Sequence, residues 1–102
     1  MRKAVEQILR ELEIPRTYIA YPCLLHMAER YSAGEPFGPD MLLAEAQYFG
    51  HTYSALRKSL YRIAWAAYSH PNGRRTLGLL PRQDLVWSFV KAIFLAAEKK
   101  NL

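Results

Sequence analysis

The sequence has a single cysteine, Cys23, so no disulfide can form within the chain. Disulfides accumulate in secreted proteins, and a chain that cannot form one is expected in a reducing compartment, here the cytoplasm. No apolar run is long enough to span a bilayer, so we expect no membrane partner. Residues 1–3 lead into an amphipathic helix rather than into the apolar segment of a signal peptide.

Patterns typical of enzymes and metal sites are also missing. The three histidines, at positions 26, 51 and 70, are far apart, and neither an HxxxH nor a CxxC spacing occurs. Glycines occur singly, which argues against a phosphate-binding loop. The carboxylates are scattered over amphipathic segments, where we expect them to be solvated, and Cys23 is expected to be packed in an apolar helix. The sequence therefore predicts no catalytic residue, no metal, no cofactor and no small-molecule substrate, and hence no enzyme.

Acidic residues are absent between Glu45 and Asp84, and the positive charge is concentrated there. The interval contains six basic residues: Arg57, Lys58, Arg62, Arg74, Arg75 and Arg82. Elsewhere eight basic residues face nine acidic ones, so the whole net charge of +5 arises within this interval. Segregated positive charge predicts a polyanionic partner, whereas a merely basic protein surface explains the segregation less well.

Apolar residues recur at helical spacing, and no segment shows sustained strand alternation. We predict one all-α domain of about six helices over residues 1–102. The first helical segment ends before Pro15, and the second runs from about Thr17 to Tyr31. The third covers residues 41–49, the fourth runs from about Thr52 to Ser69, and the last begins after Asp84. One further turn is predicted near 76–80. The expected helix caps are Asp40, Thr52 or Ser54, and Asp84.

Residues 45–65 have the pattern of a helix end, a glycine turn and a longer helix. The small side chain of Ala46 lets two helices approach closely, and Gly50 can adopt a positive φ at the corner. Leu56 is placed to pack the second helix back onto the first. These positions predict a central helix-turn-helix whose second helix presents polar and basic residues outward.

The outward face of that second helix carries the side-chain chemistry of a major-groove reader. We predict DNA base contacts by Ser54, Arg57, Lys58, Tyr61 and Arg62, with bidentate arginine–guanine pairing as the favoured specific contact. We predict DNA backbone contacts by His51, Thr52, Tyr53, Arg74 and Arg75, the last two in a loop that follows a Pro-Asn-Gly turn. For Trp65 two interpretations stay open, an outward contact or burial against the C-terminal helix.

The order of these elements resembles that of a known family. The chain is similar to the C-terminal DNA-binding domain of the stage-zero sporulation response regulator (sporulation initiation factor A) family of endospore-forming Firmicutes. The resemblance is carried by residues 8–15, by Tyr21 with Leu24, and by residues 49–56, 63–68 and 84–94. It covers nearly the whole chain, and the order of elements is more specific than any one motif.

The resemblance implies an all-helical transcriptional regulator that binds a short box in duplex DNA, often with self-association in tandem. Ser54 matches the family's serine on the recognition helix, and Lys58 is a cation where the family has arginine. Ala55 and Tyr61 replace arginines, Arg57 replaces a glutamate and Arg62 replaces a histidine, so DNA binding is expected to persist with a changed base preference. Family members also carry an N-terminal receiver domain, for which this sequence has no room, so it is either a free-standing output domain or a fragment.

A protein-interaction module is the alternative function. Such a module would dock on a related regulator or another partner and modulate it without binding DNA itself. The replaced arginines motivate this alternative, as does Trp87, which lies off both apolar rows of the last helix and is a candidate for exposure.

Overall fold

The computed structural model describes residues 1–100, which contain six α-helices and no β-strand. The helices are α1 (Arg2–Glu11), α2 (Ala20–Ser32), α3 (Pro39–Phe49), α4 (Tyr53–Ser69), α5 (Gly73–Leu77) and α6 (Leu85–Lys100). The prediction of an all-α chain with about six helices is therefore confirmed for this part of the sequence.

The helices α4 and α6 provide the centre of the core. α6 packs against α1, α4 and α5, and α4 packs in addition against α2, α3 and α5. On α4, Leu56, Leu60, Ile63 and Ala67 recur at spacings of four, three and four, which predicts one buried apolar stripe. All four residues are fully buried. α6 contributes Phe89 and Phe94, the largest of the fully buried side chains among the described residues. Burial of each large apolar side chain stabilises the fold by roughly 1.5–3 kcal/mol. Because the buried stripe holds one side of α4 in the core, the opposite side of the helix faces solvent.

Two of the predicted helix caps are present. The Thr52 hydroxyl oxygen accepts a hydrogen bond from the Ala55 N–H at 3.0 Å. One carboxylate oxygen of Asp84 accepts from the N–H groups of Val86 at 3.2 Å and Trp87 at 3.3 Å. The cap predicted at Asp40 is wrong, because α3 begins one residue earlier and Asp40 lies within its first turn. There its negative charge still complements the positive end of the helix dipole.

A buried serine connects α4 to the start of α2. The Ala20 N–H, at the first residue of α2, donates to the Ser59 hydroxyl at 3.1 Å. Ser59 is 6% exposed and lies on the inward side of α4. A helix start that lacks a cap of its own is thus satisfied by a side chain from another helix.

Three helix boundaries or orientations differ from the predictions. α1 ends at Glu11, before the predicted Ile14-Pro15 stop, because Glu13 adopts a left-handed φ of 57° and the Ile14 N–H bonds back to the Leu9 carbonyl at 2.9 Å. The arginines predicted in a loop before residue 76 lie instead within α5. The apolar residues of the third helical segment, Leu42, Leu43, Ala46 and Phe49, predict an inward face, but Leu43 is 46% exposed.

Candidate nucleic-acid interface

The turn between α3 and α4 is built around Gly50. This residue has a φ of +74°, as the sequence predicted, and the flanking backbone closes with a bond from the His51 N–H to the Ala46 carbonyl at 2.8 Å. The left-handed conformation costs an L-residue about 1–2 kcal/mol, which explains glycine at this position. Ala46 is 1% exposed and Leu56 is fully buried, so both predicted packing positions are confirmed. The turn therefore places α4 directly against α3 with a fixed outward face.

That outward face collects polar, aromatic and basic side chains. The exposed residues along α4 include Ser54, Lys58, Tyr61, Arg62 and Trp65. Within residues 1–100, neither Lys58 nor Arg62 forms an ion pair. Two cations one turn apart, with no acidic residue between positions 46 and 83, give this surface a strong positive potential.

Arg57 is held differently from the other cations of α4. Its Nη2 donates to a carboxylate oxygen of Asp84 at 2.8 Å, and its Cζ lies 5.3 Å from the centroid of the Trp87 ring. Burial raises the pKa of Asp84, but the hydrogen bonds from Arg57 and from the Trp87 N–H outweigh it, so the pKa lies below its usual value. The guanidinium is thus fixed against α6 by an ion pair and a cation–π contact.

Two shallow clefts flank the first half of α4. One, of about 480 Å³, lies between α4 and the start of α6 and is lined by Ser54, Arg57, Lys58 and Tyr61 together with Asp84. The other, of about 460 Å³, lies between α4 and the segment before α2. Its lining residues include Thr17, Thr52, Ser54, Lys58 and Arg62. Ser54 and Lys58 therefore form the ridge between the clefts, and the structure brings all five predicted base-contact residues to the same part of α4.

The residues predicted to contact the DNA backbone are more dispersed. Thr52 is exposed at the start of α4, but its hydroxyl already caps the helix. His51 and Tyr53 are half-buried, and Tyr53 packs against the core.

Arg74 and Arg75 are exposed, but they follow the opposite end of α4. Arg75 lines a separate cavity with Glu11 and Lys99. Because α4 is about 25 Å long, these arginines do not join the cluster around Lys58.

Sequence reasoning missed a buried ionic cluster between α2 and α3. Glu45 is completely buried, and its two carboxylate oxygens lie 2.7 and 2.9 Å from Nδ1 of His26. Arg30 donates to Glu45 at 3.1 Å and also pairs with Glu35 at 2.8 Å. Hydrogen bonding to Glu35 and then to Glu45 raises the pKa of Arg30, and the bond from Arg30 lowers that of Glu35. The prediction that the carboxylates are solvated is therefore wrong for Glu45.

A signal for this cluster was present in the sequence. Leu42, Glu45, Ala46 and Phe49 recur at spacings of three, one and three, which places Glu45 on the same face as three apolar residues. A carboxylate on a buried face requires cationic or hydrogen-bonding partners. The identity of those partners, 15 and 19 residues away along the chain, was not readable from local periodicity.

Three aromatic rings among residues 1–100 are exposed, two of them on α4 and one on α3. Trp65 is 44% exposed and Tyr61 is 46% exposed, and their ring centroids are 6.4 Å apart. The interpretation of Trp65 as buried against the C-terminal helix is therefore wrong. Tyr48 is 71% exposed and stacks on His26 at 4.9 Å. Trp87, a candidate for exposure, is instead half-buried beside Phe37.

Comparisons with other proteins add no family. None of the protein-family models matches the chain, and comparisons with curated proteins and with solved structures found no significant similarity. The resemblance to the sporulation regulator family therefore depends on the residues quoted from the sequence. Within residues 1–100 no three His, Cys, Asp or Glu side chains are grouped so as to hold a metal ion, and no helix is long and apolar enough to cross a membrane.

Proposed function

We propose that the chain binds duplex DNA with α4 as the recognition helix of a helix-turn-helix formed by α3, the Gly50 turn and α4. In this proposal the exposed face of α4 enters the major groove, which is about 12 Å wide and admits one helix. The single observation that carries it is a pair of cations, Lys58 and Arg62, that form no ion pair within residues 1–100 and lie on an exposed face whose opposite side is fixed in the core.

The distribution of charge supports duplex DNA rather than a small anion. The two clefts are shallow and open, and together they extend over both sides of the first half of α4. A phosphate backbone presents repeated negative charges along both edges of the groove, so it matches a ridge with a cleft on either side. Among residues 1–100, Asp84 is the one carboxylate that lines these clefts, and its charge is already paired with Arg57.

Each residue of the face has a proposed role. Arg57 and Lys58 face base edges, and Ser54, Tyr61 and Arg62 make further base contacts. His51, Thr52, Tyr53, Arg74 and Arg75 contact phosphates. Since Arg74 and Arg75 lie beyond the end of α4, their contacts are with a more distant part of the duplex. As in the family that the sequence resembles, the proposed role is a transcriptional regulator, with tandem self-association on DNA.

The base-reading role is tested by comparing Arg57→Ala with Arg74→Ala over several duplex sequences. Arg57→Ala is expected to weaken the preferred sequence by about 1–3 kcal/mol and to relax the preference at one base pair. Arg74→Ala is expected to weaken all sequences alike, because a phosphate contact carries no base information. Lys3→Ala, which removes an exposed cation on α1, is the matched control. Equal, sequence-independent losses for both arginines would contradict base reading by Arg57.

A protein-interaction module remains the second candidate function. The exposed rings of Tyr48, Tyr61 and Trp65 favour it, because aromatic residues are enriched at protein interfaces. Trp87 no longer motivates this alternative, since it is half-buried beneath Arg57. Trp65→Ala distinguishes the two functions: it is expected to abolish binding to a protein partner, whereas DNA affinity is expected to change by less than that caused by Lys58→Ala.

A further inference from the structure

An aromatic groove lies on the side of α6 that faces α2 and the segment before α3. Its volume is about 570 Å³, within the roughly 300–1,000 Å³ typical of small-molecule sites. Four rings line it: Tyr31, Phe37, Trp87 and Phe94. Two prolines, at positions 36 and 39, complete the apolar lining.

The rings form one connected cluster rather than a collapsed core. The centroids of Tyr31 and Phe94 are 4.8 Å apart, and those of Phe37 and Trp87 are 5.0 Å apart. Phe94 is 1% exposed, whereas Tyr31, Phe37 and Trp87 are half-buried and keep part of their surface open to the groove. An incompletely covered set of ring faces offers stacking surface to a flat apolar ligand.

The groove has one charged side chain, and it is positive. Lys91 lies one turn after Trp87 on α6, is exposed and lines the groove. Within residues 1–100 it forms no ion pair, and no carboxylate lines the groove. An apolar site with a single convergent cation selects a ligand with an aromatic body and one negative charge.

Trp87 connects this groove to the basic face of α4. One part of its ring lines the groove, and the guanidinium of Arg57 lies 5.3 Å from the ring centroid. Asp84, three residues before Trp87, holds the same guanidinium at 2.8 Å. An anion bound on Trp87 would bring negative charge to the ring against which Arg57 lies, and this charge would oppose the binding of a polyanion.

We propose that the groove formed by Tyr31, Phe37, Trp87, Lys91 and Phe94 binds a small aromatic monoanion, and that its occupancy lowers DNA affinity through Trp87 and Arg57. The first half goes beyond the proposed function and is independent of it. The second half depends on DNA binding by α4, so the two halves are tested separately.

Ligand binding is tested without DNA, using 8-anilinonaphthalene-1-sulfonate and its uncharged analogue N-phenyl-1-naphthylamine. Trp65→Phe leaves Trp87 as the only tryptophan, so energy transfer from Trp87 reports binding of the probe, and the Lys91 variants locate the bound probe in the groove. The sulfonate is expected to saturate one site and to bind about fivefold more tightly than the analogue, as an exposed ion pair allows. Lys91→Gln is expected to remove this preference, and Lys91→Glu to reverse it. Lys99→Glu, a charge reversal elsewhere on α6, is expected to preserve it.

These results decide the first half in either direction. Equal binding of the two probes to the wild-type chain, or sulfonate binding that is unchanged by Lys91→Glu, would overturn the assignment. Both Lys91 variants alter an exposed side chain, so loss of the fold does not confound them.

The second half is tested by duplex titration with and without saturating sulfonate probe. DNA affinity is expected to fall about fivefold, at the lower end of common allosteric couplings. The Arg57→Ala variant is expected to bind the probe as the wild-type chain does. Its DNA affinity, already reduced by the substitution, is expected to be the same with and without the probe. A fall of the same size in Arg57→Ala would refute transmission through this side chain, and an unchanged affinity in the wild-type chain would refute coupling altogether.

Discussion

Asp84→Asn is the substitution for which the structure predicts a gain of DNA affinity. The Asp84 carboxylate holds Arg57 at 2.8 Å and is the one negative charge lining the clefts beside α4. Asparagine preserves the helix cap, because Asn and Asp are nearly equivalent at this position. The substitution therefore frees Arg57 and removes a repulsive charge while the start of α6 stays intact.

The expected gain follows from counterion release. Each additional phosphate that the protein neutralises adds about −0.9 to the slope of log affinity against log salt. On a random duplex, where Arg57 has no preferred base, one additional phosphate contact by the released side chain thus corresponds to about an eightfold gain in affinity at 0.1 M salt. The same variant is expected to lose about 0.5–1 kcal/mol of stability, since an exposed ion pair of this kind contributes little. The lowered pKa of Asp84 makes this stabilisation depend on pH. The stabilisation is fully present above the usual pKa of an aspartate, and it is lost as the pH falls from there through the lowered pKa of the folded chain.

Fluorescence-anisotropy titration with a labelled random duplex measures the affinity, and urea denaturation measures the stability. Glu98→Gln is the matched control, because it changes the net charge equally at an exposed site near the other end of α6. A gain no larger than that of Glu98→Gln, at every salt concentration, would refute the reasoning that Asp84 restrains a DNA-contacting arginine.

Three further predictions concern the scaffold. Gly50→Ala is expected to destabilise the chain by about 1–2 kcal/mol in urea denaturation, because φ is +74° there. Glu45→Ala is expected to cost about 2–4 kcal/mol by the same assay, because it removes the anionic partner of two cationic or hydrogen-bonding side chains. Burial raises the pKa of Cys23 to about 12 in the folded chain. The buried protonated thiol therefore stabilises the fold fully below the thiol's usual pKa, and this stabilisation is lost as the pH rises from there toward 12. The stability difference between the wild-type chain and Cys23→Ala is therefore expected to shrink by about 1.4 kcal/mol per pH unit in that range.

Each of these predictions has a contrary result. A loss near zero for Gly50→Ala would contradict the argument from φ. A loss below about 1 kcal/mol for Glu45→Ala would show that the buried cluster contributes no more than an exposed ion pair. A stability difference for Cys23→Ala that stays constant up to high pH would contradict burial of the protonated thiol.

The parts of the fold that depend on local sequence were predictable. The buried stripe of α4, the positive φ of Gly50 and the caps at Thr52 and Asp84 all follow from spacing or from residue types within a few positions. α5 was placed too late in the chain, since Gly73 and two arginines in succession resembled a turn. Boundaries of short helices depend on a few bonds, and such bonds leave little periodicity to detect.

The interactions that define the candidate site were less predictable, because they join distant residues. Arg57 and Asp84 are 27 residues apart, and no local pattern pairs them. Because of this ion pair, the Arg57 side chain is restrained by Asp84 and is not free to approach a base edge. The exposure of Trp65 and the half-burial of Trp87 likewise depend on how α4 and α6 pack.

The salt dependence of binding to a random duplex tests the central claim most directly. If α4 binds DNA as proposed, the chain is expected to bind the duplex at about 50 mM salt. The logarithm of the affinity is then expected to fall with the logarithm of the salt concentration at a slope of roughly −3 to −5, as three to five phosphate contacts require. On a random duplex Lys58 and Arg62 have no preferred base and are expected to contact phosphates, so Lys58→Ala and Arg62→Ala are each expected to reduce the slope by about one. Lys3→Ala, which removes an exposed cation on α1, is expected to leave it unchanged. Absence of binding at low salt, or a slope near zero, would contradict the account.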